Sequence, residues 1–232
     1  LFRSEANGSL TALVARARSL ARTVRADELD ADPWLLNCPN GVVDLRTGEV
    51  LPHNRNRLIS KIAGARYDPA ATCPRFLAFI HRIMGAGPDA SESELDRAAA
   101  LVDYLQTAFG YAATGLVTEK AVFVFHGLGN NGKTTLLEVI RAALGAYAGS
   151  INVESLMTRQ PDLSVMVDLA DLQGRRFVST SEVEDGQKLA VARLKHLTGM
   201  GILKYRRMRE NPVEFAPTHK LFLDSNYRPV IR

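Results

Sequence analysis

Long apolar runs are missing from this 232-residue chain, and no stretch approaches the roughly 20 residues that a membrane-spanning helix needs. No membrane partner is therefore expected. A secretory leader pattern is missing too, as is an initial Met, so the chain reads as a fragment of a cytoplasmic protein. Cysteine is scarce. Cys38 and Cys73 each precede a proline, and neither has neighbours at metal-ligand spacing. That argues against a cysteine metal centre and for buried thiols in a reducing compartment. Tryptophan occurs once, at Trp34, where core packing is the expected role. His53 and His81 lack obvious partners, so the first half holds no catalytic constellation. A strong charge imbalance is lacking as well. The net charge of +4 is mild, and its placement matters more than its size.

What the chain does have is Gly127-Leu128-Gly129-Asn130-Asn131-Gly132-Lys133-Thr134-Thr135, which fits Gly, four residues, Gly-Lys-Ser/Thr. The apolar run 121–125 before it reads as a buried strand, and residues 136–144 after it as a helix. A triphosphate needs many donors in a small space, which main-chain N–H groups supply best. Gly127, Gly129 and Gly132 allow positive φ, and Asn130 and Asn131 tolerate it. The helix start adds free N–H groups and the positive end of its dipole. Lys133 would reach the outer phosphates of ATP, and Thr134 would hold Mg²⁺ through its hydroxyl.

Ahead of this loop, residues 9–25 read as an amphipathic helix with an arginine-bearing face. Residues 40–51 read as a short hairpin turning at Thr47-Gly48, and a strand is expected near 58–62. Helices are expected at 75–84, opened by Pro74, and at 92–109, closed by Gly110. After the loop, residues 151–153 suggest a short strand and 164–172 a helix. Residues 177–182 read as a strand ending in Glu182. An acid at such a strand end can hold Mg²⁺ or orient the attacking water, although Glu184 and Asp185 follow closely. Residues 188–197 read as a helix broken by Thr198-Gly199-Met200-Gly201. A hairpin over 202–215 then concentrates Lys204, Arg206, Arg207 and Arg209 around Tyr205, a composition suited either to a phosphate backbone or to solvent. Residues 219–226 form a last strand with Asn226 at its polar end.

This order of pieces resembles the superfamily 3 helicases of the AAA+ group, and more closely the helicase part of phage and plasmid primase proteins and of poxvirus primase-helicases. The resemblance is carried by the phosphate loop, Ser181-Glu182, the stretch 195–199 and Ser225-Asn226-Tyr227-Arg228-Pro229. Upstream it is carried by the Asn40-Gly41 hairpin, Tyr67-Asp68-Pro69 and Cys73-Pro74. It implies an α/β fold, with an AAA+-like parallel sheet flanked by helices over 111–232 and a smaller, mostly helical domain with a short β-hairpin over 1–110. It places the Asn226 strand between the loop strand and the Glu182 strand. It implies ATP hydrolysis driving a DNA helicase, with Lys133, Glu182 and Asn226 catalytic and Thr134 and Glu182 at the metal. Residues 204–209 become the hairpin that touches single-stranded DNA, in a homo-oligomeric ring, usually a hexamer. Met200-Gly201 stands where the family often has an acid. The arginine finger would lie beyond Arg232, which implies weak hydrolysis by this chain alone. Two rival readings remain: a small-molecule P-loop kinase, and a nucleotide-switched DNA-binding or oligomerisation module without turnover.

Overall fold

The computed structural model describes residues 7–20, 24–157, 163–180, 188–206, 210–228 and 230–231. The chain opens with α1 (Asn7–Leu20), then a small antiparallel sheet of β1 (Leu35–Cys38), β2 (Gly41–Asp44) and β3 (Val50–Leu51). The expected hairpin is β2–β3, and β1 adds a strand to it. The helices α2 (Pro74–Ile83) and α3 (Glu92–Ala113) follow. The second half runs β4 (Val122–His126), α4 (Lys133–Leu144), β5 (Ala148–Ile151), α5 (Leu163–Ala170) and β6 (Phe177–Thr180). It continues with β7 (Lys188–Leu189), α6 (Val191–Thr198), β8 (Leu203–Arg206), β9 (Pro212–Phe215), β10 (Lys220–Ser225) and β11 (Val230–Ile231). Among the described residues no helix is long and apolar enough to cross a membrane.

The main sheet is parallel and ordered β4-β10-β6-β5. The last long strand in sequence thus inserts between the first and third, as expected for the Asn226 strand. Connections of this kind require right-handed crossovers whose helices cover the sheet faces. β10 is buried along its whole length, its apolar centre Leu221-Phe222-Leu223 flanked by buried Lys220, Asp224 and Ser225. At its centre Phe222 is fully buried and stacks on Phe177 at 4.4 Å and Phe123 at 4.7 Å between ring centroids. Phe109 of α3 closes over it at 5.7 Å. One core cluster joins these rings to Cys38, Val43 and Ala63, so the small sheet packs against the same face of the main sheet.

At the end of the sheet where β10 begins, two buried cations hold the α3–β4 connection. Arg176 donates to the carbonyls of Ala113 and Leu35, each at 2.8 Å, with its guanidinium over the Tyr147 ring. Lys220 donates to the carbonyls of Thr114, Leu116 and Thr218 and lies over the Tyr111 ring. A helix leaves its last carbonyls without partners and its C-terminus favours cations, and here the cations come from Arg176, just ahead of β6, and from Lys220 of β10. This explains a departure from expectation. Gly110 does not close α3; the helix continues to Ala113 and ends at Thr114.

Other boundaries shift for similar reasons. Residues 58–62 form no strand. The Ala63 N–H bonds the Asn37 carbonyl at 2.7 Å, and the Ile62 carbonyl accepts from Ala146 at 2.9 Å. The Gly64 and Ala65 N–H groups both donate to the Ala143 carbonyl. The crossing is so close that a Cβ on Gly64 would stand 2.0 Å from the Ala142 carbonyl oxygen. The short strand comes at 148–151 rather than 151–153. Lys188 and Leu189 pair as a strand with β11 instead of opening α6. Cys38 is buried as expected, but Cys73 is exposed, just before the Pro74 that starts α2.

His219, which precedes β10, is buried, and burial followed by the charge of Lys220 pushes it down to about 4. The unfolded chain takes up this proton near 6.5 and the folded chain only near 4. Between those values stability should therefore fall as pH falls, by up to about 1.4 kcal/mol per unit from this ring. Denaturant melts at pH 7 and pH 5 should show a smaller difference for His219→Gln than for the wild type.

Candidate functional site

The phosphate loop lies at the carboxyl end of the parallel sheet, between β4 and α4. Its hydrogen bonds begin with Gly127, whose N–H donates to the Ser225 carbonyl at 3.2 Å and carries the pairing of β4 and β10 into the loop. Positive φ falls at Asn130 (60°) and Gly132 (85°), not at Gly127 or Gly129 as the sequence suggested. Gly132 precedes the first helical residue, and a Cβ there would meet Ile83 of α2 at 2.8 Å. Gly127 is required for space, since a Cβ would lie 2.3 Å from the Asn131 amide nitrogen. Gly129 and Asn130 are exposed, as is Thr135 at the first turn of α4.

Lys133 curls back into the loop. Its ammonium donates to the Gly127 carbonyl at 2.8 Å, to Asn131 Oδ1 at 3.0 Å and to Asn226 Oδ1 at 2.9 Å. The last of these crosses 93 positions of sequence. The next residue, Thr134, donates its hydroxyl to Asp224 Oδ2 at 2.8 Å. The other Asp224 oxygen lies 3.8 Å from the Lys133 ammonium. The site thus collects one cation, one hydroxyl, one carboxylate and two amides around a loop of main-chain N–H groups. Hydroxyl and carboxylate oxygens are hard donors of the kind Mg²⁺ prefers, so the residues present fit that ion beside a triphosphate.

The structure therefore brings Lys133, Thr134, Asn131 and Asn226 together with the glycines. Glu182, together with the alternative acids Glu184 and Asp185, lies outside the described residues. So do Arg207 and Arg209. Asp224 was not singled out from sequence, though a signal was there. Side chains two apart on a strand share a face, so an Asp two positions before Asn226 must aim toward the same loop.

The basic hairpin is present as β8 paired with β9. Leu203 and Tyr205 turn inward onto the core, while Lys204 and Arg206 are exposed on the other face. Lys204 pairs across the hairpin with Glu214 at 2.6 Å. Being exposed, the pair adds little stability, but it offsets part of the arm's charge.

A parallel sheet with its phosphate loop after the edge strand, and the polar end of the neighbouring strand against the loop lysine, defines a phosphate-loop α/β fold. Residues 1–85 match the family described as D5 N terminal like, and residues 125–232 match a family of unknown function, DUF5906. A protein of Acanthamoeba polyphaga mimivirus, provisionally named a helicase, is 26% identical over 88% of this chain and 20% of its own length. A protein of African swine fever virus, provisionally named a primase, is 28% identical over 93% of this chain and 22% of its own length. The chain thus spans about a fifth of the curated relatives it matches. In fold it is similar to the A form apo structure of the NrS-1 C-terminal region. That likeness has a TM-score of 0.52 at 14% identity and covers 97% of this chain and 49% of that one.

Proposed function

We propose that this chain is the motor region of an ATP-dependent DNA helicase of phage or plasmid replication, working as a homo-oligomeric ring on single-stranded DNA. The observation that carries the reading is the hydrogen bond from Lys133 to Asn226, which ties the phosphate loop to the tip of the neighbouring strand. In this reading the N–H groups of residues 127–135 wrap the ATP phosphates, and Lys133 transfers its ammonium from Asn226 to the terminal phosphates. Asn226, released, senses the γ-phosphate, and Glu182 orients the water for in-line attack. Mg²⁺, held by Thr134 and Glu182, would neutralise phosphate charge as the bond breaks. In a ring, a hexamer in this reading, a neighbour's arginine would complete the site. Residues 1–110 would form the domain that precedes this ATPase core.

The β8–β9 hairpin supplies the DNA contact, with Lys204, Arg206, Arg207 and Arg209 facing phosphates and Tyr205 anchoring the arm. Removing charge at Arg206 and Arg207 together should weaken single-stranded DNA binding. It should also flatten the log–log salt dependence by about 1.4, at about 0.7 per lost phosphate contact. A salt titration of fluorescently labelled DNA reads this directly. The proposal as a whole is tested by the ATPase rate of the full-length protein with and without single-stranded DNA. Stimulation by DNA is expected, and turnover that ignores DNA in the assembled ring would count against a translocating motor.

A further inference from the structure

Beside the phosphate loop a cleft of about 450 Å³ opens between α4 and the carboxyl ends of β5, β6 and β10, lined by Thr134, Ser179, Thr180 and Asp224 among others. Two of its polar groups are more than nine-tenths buried and incompletely bonded. Asp224 is 6% exposed and Thr180 is 7% exposed. Among the described residues, Asp224 Oδ1 and the Thr180 hydroxyl oxygen have no hydrogen-bond partner. A buried carboxylate is costly to hold unless its oxygens are engaged. Asp224 has one hydrogen bond, from Thr134, and one cation at 3.8 Å. The cleft's other inner carboxylate, Asp168, is occupied locally, accepting from Asn152 and Ser155.

We infer that Asp224 is a metal-binding carboxylate of this site, acting with the Thr134 hydroxyl to hold the divalent cation of the nucleotide, with Thr180 bonding a water of that cation's shell. The inference rests on the ATP reading and adds to it a residue from the central strand, β10. The chemistry favours a small hard cation that keeps several waters, because the cleft offers one carboxylate and hydroxyls rather than a closed cage. Placing the metal carboxylate and Asn226 two positions apart on one strand would make β10 report on both metal and γ-phosphate.

The test is the magnesium dependence of nucleotide binding by the full-length protein, followed with a fluorescent ATP analogue in EDTA and in millimolar magnesium. Asp224→Asn should lose about tenfold or more of the magnesium-dependent tightening. Its metal-free binding should hold or tighten, because a negative group beside the phosphates has gone. Thr134→Ala, a truncation at an exposed helix position, should share the loss of magnesium response. Manganese bound with a non-hydrolysable analogue, counted by electron paramagnetic resonance, should fall in both variants. A wild-type magnesium response in Asp224→Asn overturns the inference and leaves the ATP reading standing. Equal weakening with and without metal assigns Asp224 a structural role and overturns it as well. Failure of the wild type to bind any nucleotide removes the ATP reading and this inference with it.

Discussion

Lys133→Ala is expected to lower ATP turnover of the full-length protein by about 100-fold or more, the scale seen when one preorganised charge-stabilising donor is removed from a reaction site. The physical basis is the position of the ammonium. It is nearly buried, with its side chain 10% exposed, and oxygens of Gly127, Leu128, Asn131 and Asn226 aim it at the centre of the loop. Those acceptors are where phosphate oxygens would compete. No other described side chain occupies that point, so the loss cannot be made up locally. Steady-state hydrolysis measured beside ATP affinity separates a binding defect from a catalytic one. Turnover that survives the substitution would sink the assignment of the loop.

The largest effect on stability is expected from Phe222→Ala, at about 3–5 kcal/mol. Phe222 is fully buried at the middle of the central strand and touches rings from α3, β4 and β6. Truncation removes the transfer energy of one ring and leaves a cavity that three stacked neighbours on rigid elements cannot collapse to fill. Phe222→Leu should recover part of the loss. Denaturant midpoints of the three proteins decide the point, and a Phe222→Ala midpoint close to the wild type would show the sheet is not organised around this ring.

The phosphate loop and the β8–β9 hairpin were legible because each is carried by local residues, whereas the strand order came only from the family resemblance. A glycine pattern bounded by a strand and a helix can be read in nine positions, and an apolar run such as 221–223 announces a strand buried on both faces. What was not legible depends on partners far away in sequence. Gly110 looks like a helix stop, yet α3 continues because Arg176 and Lys220 bond its last carbonyls from more than sixty positions away. Lys188 and Leu189 fit a helix pattern, yet Val230 and Ile231 draw them into a strand. Asp224 was read only as part of a polar strand end, because its importance lies in the Thr134 hydroxyl ninety positions upstream. The glycines of the loop were credited with conformational freedom. Gly127 instead provides room for the Asn131 side chain.

The seam at Gly64 has a mechanical meaning. Main-chain hydrogen bonds, with no side chain between, fasten residues 62–65 to the far end of α4. Such a contact has almost no give, since close-packed backbone transmits displacement rather than absorbing it. If α4 tilts as phosphates come and go at its near end, its far end acts as a lever arm, and the small three-stranded sheet would ride on it without slack.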